Sequence, residues 1–196
     1  RVLLHFDLTD LSQSLVSNEI TTSLDGNGIS PKYFLRLYEQ KTFELSPEYS
    51  LATFPLSSSF EDGTGYTTQN PNSRNGVSWE RSDESFDNTN WSLVADTNAD
   101  SGSRSVTGGG VWITGSGYEA SQSFVNQSGD IEMDVTDIVN NHLGSLPNYG
   151  FITKFSGSYE DDGTSINLKF FSKNTHTIYA PKLELRWDDS SFSTGN

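Results

Sequence analysis

The residues of this chain best equipped for chemistry are three histidines, several runs of adjacent acids and four tryptophans; cysteine is absent. His5, His142 and His176 lie far apart, without the short spacing of a metal pair and without a nucleophile motif alongside. Their plainest reading is a strand residue, a helix-end residue and a loop residue. Glycoside hydrolysis would need two carboxyl groups about 5 to 10 Å apart across a sugar cleft. Glu61-Asp62, Asp83-Glu84 and Glu160-Asp161-Asp162 supply pairs, but adjacent acids in glycine-rich loops are ordinary turn chemistry and define no cleft. The expectation is a chain with no catalytic residue.

Asp96-Thr-Asn-Ala-Asp-Ser-Gly102 is the one stretch like a calcium loop, since Asp96, Asn98 and Asp100 place oxygen atoms at alternate positions and glycine permits a sharp turn. Its glycine falls one place late for an EF-hand, and Thr107 stands where the closing glutamate belongs. An acidic turn without an ion is expected, with a structural calcium as the alternative. Trp79, Trp91, Trp112, Tyr66 and Tyr118 offer flat apolar platforms to a sugar or a partner, in loops rich in Asn, Asp and Gln that can bind hydroxyls. The competing reading has the tryptophans plug the ends of the fold. Asn90-Trp-Ser92 and Asn126-Gln-Ser128 match the glycosylation acceptor pattern, as chance provides in a chain this rich in Asn, Ser and Thr. Phe60, Tyr66, Phe86 and Phe192 are candidates for contact with a neighbouring subunit.

The elements that must position these residues read as strands. Strands are expected over Arg1 to Leu8, Lys32 to Tyr38, Tyr49 to Phe54, Gly110 to Thr114, Ser121 to Val125, Asp130 to Val135, Tyr149 to Phe155, Ile166 to Ser172 and Pro181 to Trp187, and apolar and polar residues alternate most clearly in the first, the second and the last two. Pro55 places the third of these at an edge or ends it. Asp161-Asp-Gly-Thr164 has hairpin chemistry, and the two C-terminal segments read together as a last strand pair. Two short helices are expected. One is capped by Asp10 or Ser12 and carries Leu11, Leu15 and Val16 to close an end of the sandwich; the other is capped by Asp134 or Thr136, with Val135, Ile138, Val139 and Leu143 inward and Gly144 and Pro147 stopping it. From Glu61 to Thr107 the chain reads as long loops pinned by Trp79 and Trp91, and 188–196 reads as a tail.

The expected fold is all-β: one jelly-roll-like antiparallel β-sandwich over residues 1–196, with one or two short helices and long loops. A chain of this length buries roughly 70% of its unfolded surface, enough for one core. A net charge of −14 argues against nucleic acid and anionic membrane surfaces as partners. No apolar run approaches the roughly 20 residues of a membrane span, so a soluble chain is expected. The start without methionine, inside a strand, suggests a processed product or a segment of a longer polypeptide.

Arg1, Phe6 and Asp7, then Asp134-Val-Thr136, Gly150-Phe151, Ser172, Pro181 and Leu183 fall on the pattern of the DNRLRE domain family, which this chain resembles over nearly its whole length. Two positions depart from it: Lys173-Asn174 replaces Arg-Glu, and Asn141-His142 replaces a tryptophan. The resemblance implies a jelly-roll-like sandwich of secreted proteins and of tailed-bacteriophage structural proteins, and some such domains are classed as carbohydrate-binding modules. Thr175 to Pro181 is most similar to the versions in phage particles. The expectation is a non-catalytic structural module of a virion, without cofactor, contacting virion or surface proteins or itself in a symmetric assembly. The alternative is a secreted module that attaches to polysaccharide.

Overall fold

Strand β2 (Lys32–Leu37) sets the frame, because its alternation buries Tyr33, Leu35 and Leu37 and leaves Lys32 exposed. It belongs to a computed structural model that describes residues 1–20, 31–43, 48–63, 75–83, 89–91, 109–125, 129–157, 160 and 167–187. β11 (Lys182–Arg186) and β8 (Ile131–Asp134) flank β2, both antiparallel to it. A second antiparallel sheet has the order β1 (Val2–Leu4), β9 (Phe151–Phe155), β4 (Glu48–Pro55), β7 (Ala120–Val125). The chain crosses from one sheet to the other between β1 and β2, β7 and β8, and β8 and β9, the alternation of a jelly-roll-like sandwich. Between the sheets lie Tyr33, Leu35, Leu37, Tyr49, Leu51, Phe124, Ile131, Met133 and Phe151, each worth about 1.5 to 3 kcal/mol of apolar burial. Thr53 and Thr153 face each other within this core and satisfy their hydroxyls mutually at 2.8 Å.

Neither C-terminal strand pairs with the other. β10 (Asn167–Phe170) lies against β3 (Glu39–Phe43), the continuation of β2 past Tyr38, and β11 lies against β2. Tyr33 bonds through its backbone toward Val135 and Thr136, Tyr38 through its carbonyl toward Phe171, and Glu39 through its N–H toward Asp130. Backbone groups alternate sides along a strand, so β10 and β11 occupy the same edge of the 32–43 run. They are two halves of one strand interrupted by residues 171–181. The sequence reading ends the strand at Tyr38 because Glu39-Gln-Lys-Thr offers no apolar face. The expected hairpin turn at 161–164 lies outside the described residues, as does the expected tail, and the strands that turn would join, β9 and β10, belong to different sheets.

The opening strand stops at Leu4, not Leu8. Gly150 holds φ at +96°, and a Cβ there would sit 2.2 Å from the Leu4 carbonyl oxygen, so the backbones cross at contact distance. Asn148 Nδ2 then donates to the Phe6 carbonyl at 2.8 Å. Asp7 turns the chain into α1 (Thr9–Val16) by accepting from the Thr9 N–H and hydroxyl. The cap position is held by Leu8, which makes no side-chain cap bond, so neither Asp10 nor Ser12 caps the helix as expected, and the Thr9 N–H is met by Asp7 from one residue further out. α1 buries no residue fully, and Val16 is exposed, so it closes the sandwich less than its pattern implies. Asp134 performs the same service for Thr136 at the start of α2 (Thr136–Leu143), which buries Ile138, Val139 and His142. Pro55 ends β4, an interior strand, so its missing N–H costs no ladder bond inside the sheet. Of the strand expected over Gly110 to Thr114, only a bridge from Trp112 to Leu56 forms, since Gly109 and Gly110 both adopt positive φ.

Candidate functional site

Strands β4 and β9 bury both faces, and the second face builds the site. Ala52, Phe54, Leu56 and Ile152 point away from the main core and pack with Trp112, joined by Leu3 and Phe60. The covering layer is made by 56–63, 75–83, 89–91 and 109–114. Its backbone is bonded internally, Glu61 to Ser82, Val77 to Glu61, Ser78 to Arg81 and Trp91 to Glu80, and β5 (Arg81–Asp83) pairs with β6 (Thr89–Asn90). Trp79, Trp91 and Trp112 thus lie over a sheet face, in place of the sandwich ends that the competing sequence reading gives them.

Arg1 precedes Leu3 by two residues and so shares its face, and its guanidinium lies 4.8 Å from the Trp79 ring centroid and 5.0 Å from that of Trp112. Two cation–π contacts of about 0.5 to 2 kcal/mol each hold the planes together when water is excluded. Arg1 Nε donates to Glu160 Oε1 at 2.5 Å and Nη1 to the Gly109 carbonyl at 2.9 Å. Lys154, on the same face of β9, pairs with Glu160 Oε2 and sits 5.1 Å from the Trp112 ring. The Arg1, Lys154 and Glu160 side chains are only 10%, 7% and 14% exposed. Burial alone would raise the Glu160 pKa, but the hydrogen bonds and charges of Arg1 and Lys154 outweigh it and hold the carboxyl below the usual range.

Beside this cluster is a pocket of about 400 Å³ lined by Arg1, Leu3, Phe60, Asp62, Val77, Ser78, Trp79, Trp91 and Gly109. Its size is at the lower end of the roughly 300 to 1,000 Å³ typical of ligand pockets. Trp79 is 53% exposed and forms an open wall, whereas Trp91 and Trp112 are buried. Trp91 Nε1 donates to the Ser78 carbonyl at 3.0 Å, which turns the indole inward. Asp62 Oδ2 pairs with Lys173, so the acid on the rim and the arginine on the wall are both internally compensated. The Ser78 hydroxyl, on the pocket wall, accepts from the Arg81 N–H at 3.1 Å.

Of the five aromatics expected at a contact site the structure brings together Trp79, Trp91 and Trp112 and leaves out Tyr118, while Tyr66 is outside the described residues. Tyr118 is half-buried in a turn at 115–120 tied to α2 through Asn141 Nδ2 and the Gly117 carbonyl. Tyr66, Phe86, Phe192, Glu84, Asp161, Asp162 and the calcium-like Asp96, Asn98 and Asp100 lie outside the described residues, as do Ser92 and the whole of the acceptor sequence at 126–128. Among the described residues no group of three metal-ligating side chains converges. His5 and His176 are exposed; His142 is buried, edge-on to Phe151 at 5.5 Å. Sequence reasoning missed Lys154. The signal was there: apolar residues at consecutive positions of β4 and β9 mark strands buried on both faces, so a lysine among them requires an acid above it.

Comparisons of this chain with protein-family models, with curated proteins and with solved structures return no match. The resemblance to DNRLRE domains rests on the short words quoted from the sequence.

Proposed function

We propose that this chain is a non-catalytic interaction module, a rigid β-sandwich on the exterior of a bacteriophage particle that acts through contacts with its own copies and adjacent proteins. The observation that carries the binding role is the pocket, whose wall charges, Arg1 and Asp62, are each paired within the chain and whose remaining lining is aromatic and apolar apart from Ser78. Such a surface is built to hold a partner, with no carboxylate left free among the described wall residues to move a proton. The similarity of Thr175 to Pro181 to the phage versions of the domain supports the particle. Antibody raised against the purified domain should decorate intact particles from the source culture in electron microscopy. Domain found only as unattached secreted protein overturns that assignment.

A second reading, attachment to polysaccharide, is favoured by the exposure of Trp79 beside the Ser78 hydroxyl. On a glycan array it requires saturable binding that falls at least tenfold in a folded Trp79→Ala variant. Trp112→Ala is no probe of binding, because Trp112 is 2% exposed and belongs to the packed layer.

A further inference from the structure

Residues 171–181 leave the edge of the sandwich and return to it, and they carry two exposed large apolar side chains, Ile178 at 76% and Tyr179 at 43%. The projection is not loose. Tyr179 stacks on Phe171 with centroids 5.4 Å apart and meets Tyr38 edge-on at the same distance, and its N–H donates to Thr177 Oγ1 at 3.2 Å. Lys182 sits 5.8 Å from the Tyr38 ring, so the knob is aromatic with a cationic flank. It is also adjacent to the pocket, because Lys173 at its base pairs with Asp62 on the pocket rim.

Ordered knob and open hole are therefore neighbours on the surface. Lys182 flanks the knob, and Glu61 and Glu80, next in sequence to the lining residues Asp62 and Trp79, are exposed beside the hole. A surface that carries a projection and a recess next to each other allows an isologous contact, each projection meeting the other copy's recess about a two-fold axis. A chain of net charge −14 repels its own copy unless the contact sets its few cations against acids, which this arrangement does. We propose that a second copy of this chain docks here, Ile178 and Tyr179 of each copy entering the Trp79 pocket of the other, with Lys182 facing Glu61 and Glu80. The proposal rests on the reading of the domain as an interaction module and names its partner.

Sedimentation equilibrium over a concentration series tests it. The wild-type chain should pass from 21.6 kDa to twice that mass. Ile178→Asp and Trp79→Ala should each weaken the dimer at least tenfold while circular dichroism and the melting temperature show both folded. Since Ile178 contributes little to the core, its variant separates docking from folding. Mixed, the two variants should form a heterodimer, because one supplies an intact hole and the other an intact knob. A wild-type chain that stays monomeric throughout, or a dimer indifferent to Ile178→Asp, overturns the proposal. Particle decoration or Trp79-dependent glycan binding by such a monomer would leave the interaction-module reading standing and remove the dimer alone.

Discussion

Glu160 joins the covering layer to the sheet beneath, because one carboxylate takes both Arg1 and Lys154 while Trp112 lies under the two cations. Removing it leaves two cations with little access to water. Glu160→Ala should cost about 3 kcal/mol in urea unfolding, the usual loss when a buried charge is stripped of its partner. A variant that loses less than about 1 kcal/mol would show the cluster to be open to solvent and screened. Only the lysine within a largely apolar strand was legible in the sequence. Arg1 reads as a pattern residue and Glu160 as one more acid in a turn, and only the fold brings the three together.

Among the elements, strands β2, β4, β7, β8 and β11 were legible in position, because alternating or continuous apolar runs record which faces are buried. Their pairing was not. Jelly-roll-like traffic sends consecutive strands to opposite sheets, so local turn chemistry says little about neighbours. One device shows what holds the sheets at their seam. Gln122 of β7 reaches the free edge of β8, accepting from the Glu132 N–H at 2.9 Å and donating to the Asp130 carbonyl at 3.4 Å. The side chain thereby occupies backbone groups that an unprotected edge would offer to another chain. Gln122→Ala should destabilise by about 1 kcal/mol and speed hydrogen exchange at the Glu132 amide by roughly fivefold to tenfold, as that free energy implies. Unchanged exchange would mean that water replaces the amide without cost.

For the molecule as a whole, acid stability separates two buried groups. Burial holds the His142 pKa below its usual value; backbone at Leu146 and Pro147 offsets part of that, yet among the described residues neither ring nitrogen has a hydrogen-bond partner. A depressed histidine favours folding while neutral and opposes it as the unfolded chain takes up a proton. Its contribution is therefore present above about pH 6.5 and declines as pH falls through that value toward the folded one. Glu160, also depressed, acts in a lower window, its contribution lost as pH falls below the ordinary carboxyl range. Acid also relieves the repulsion of a −14 chain, so the comparison has to be with His142→Phe. Melting temperatures of the two proteins should diverge between about pH 7.5 and 5, the range that brackets an ordinary histidine, with the wild type losing ground; parallel curves would show that His142 does not titrate in the fold.

The interruption between β10 and β11 has a consequence for how such a protein can change. Phe171 meets Tyr38 and Lys182 meets Arg36, so Leu37 is the only partner position left opposite residues 172–181. The ladder resumes in phase whatever the length or spelling of that excursion. Selection can rewrite it at the pace of a changing partner while the sheet on either side stays still, and a foreign peptide spliced there would be displayed without re-registering a single strand.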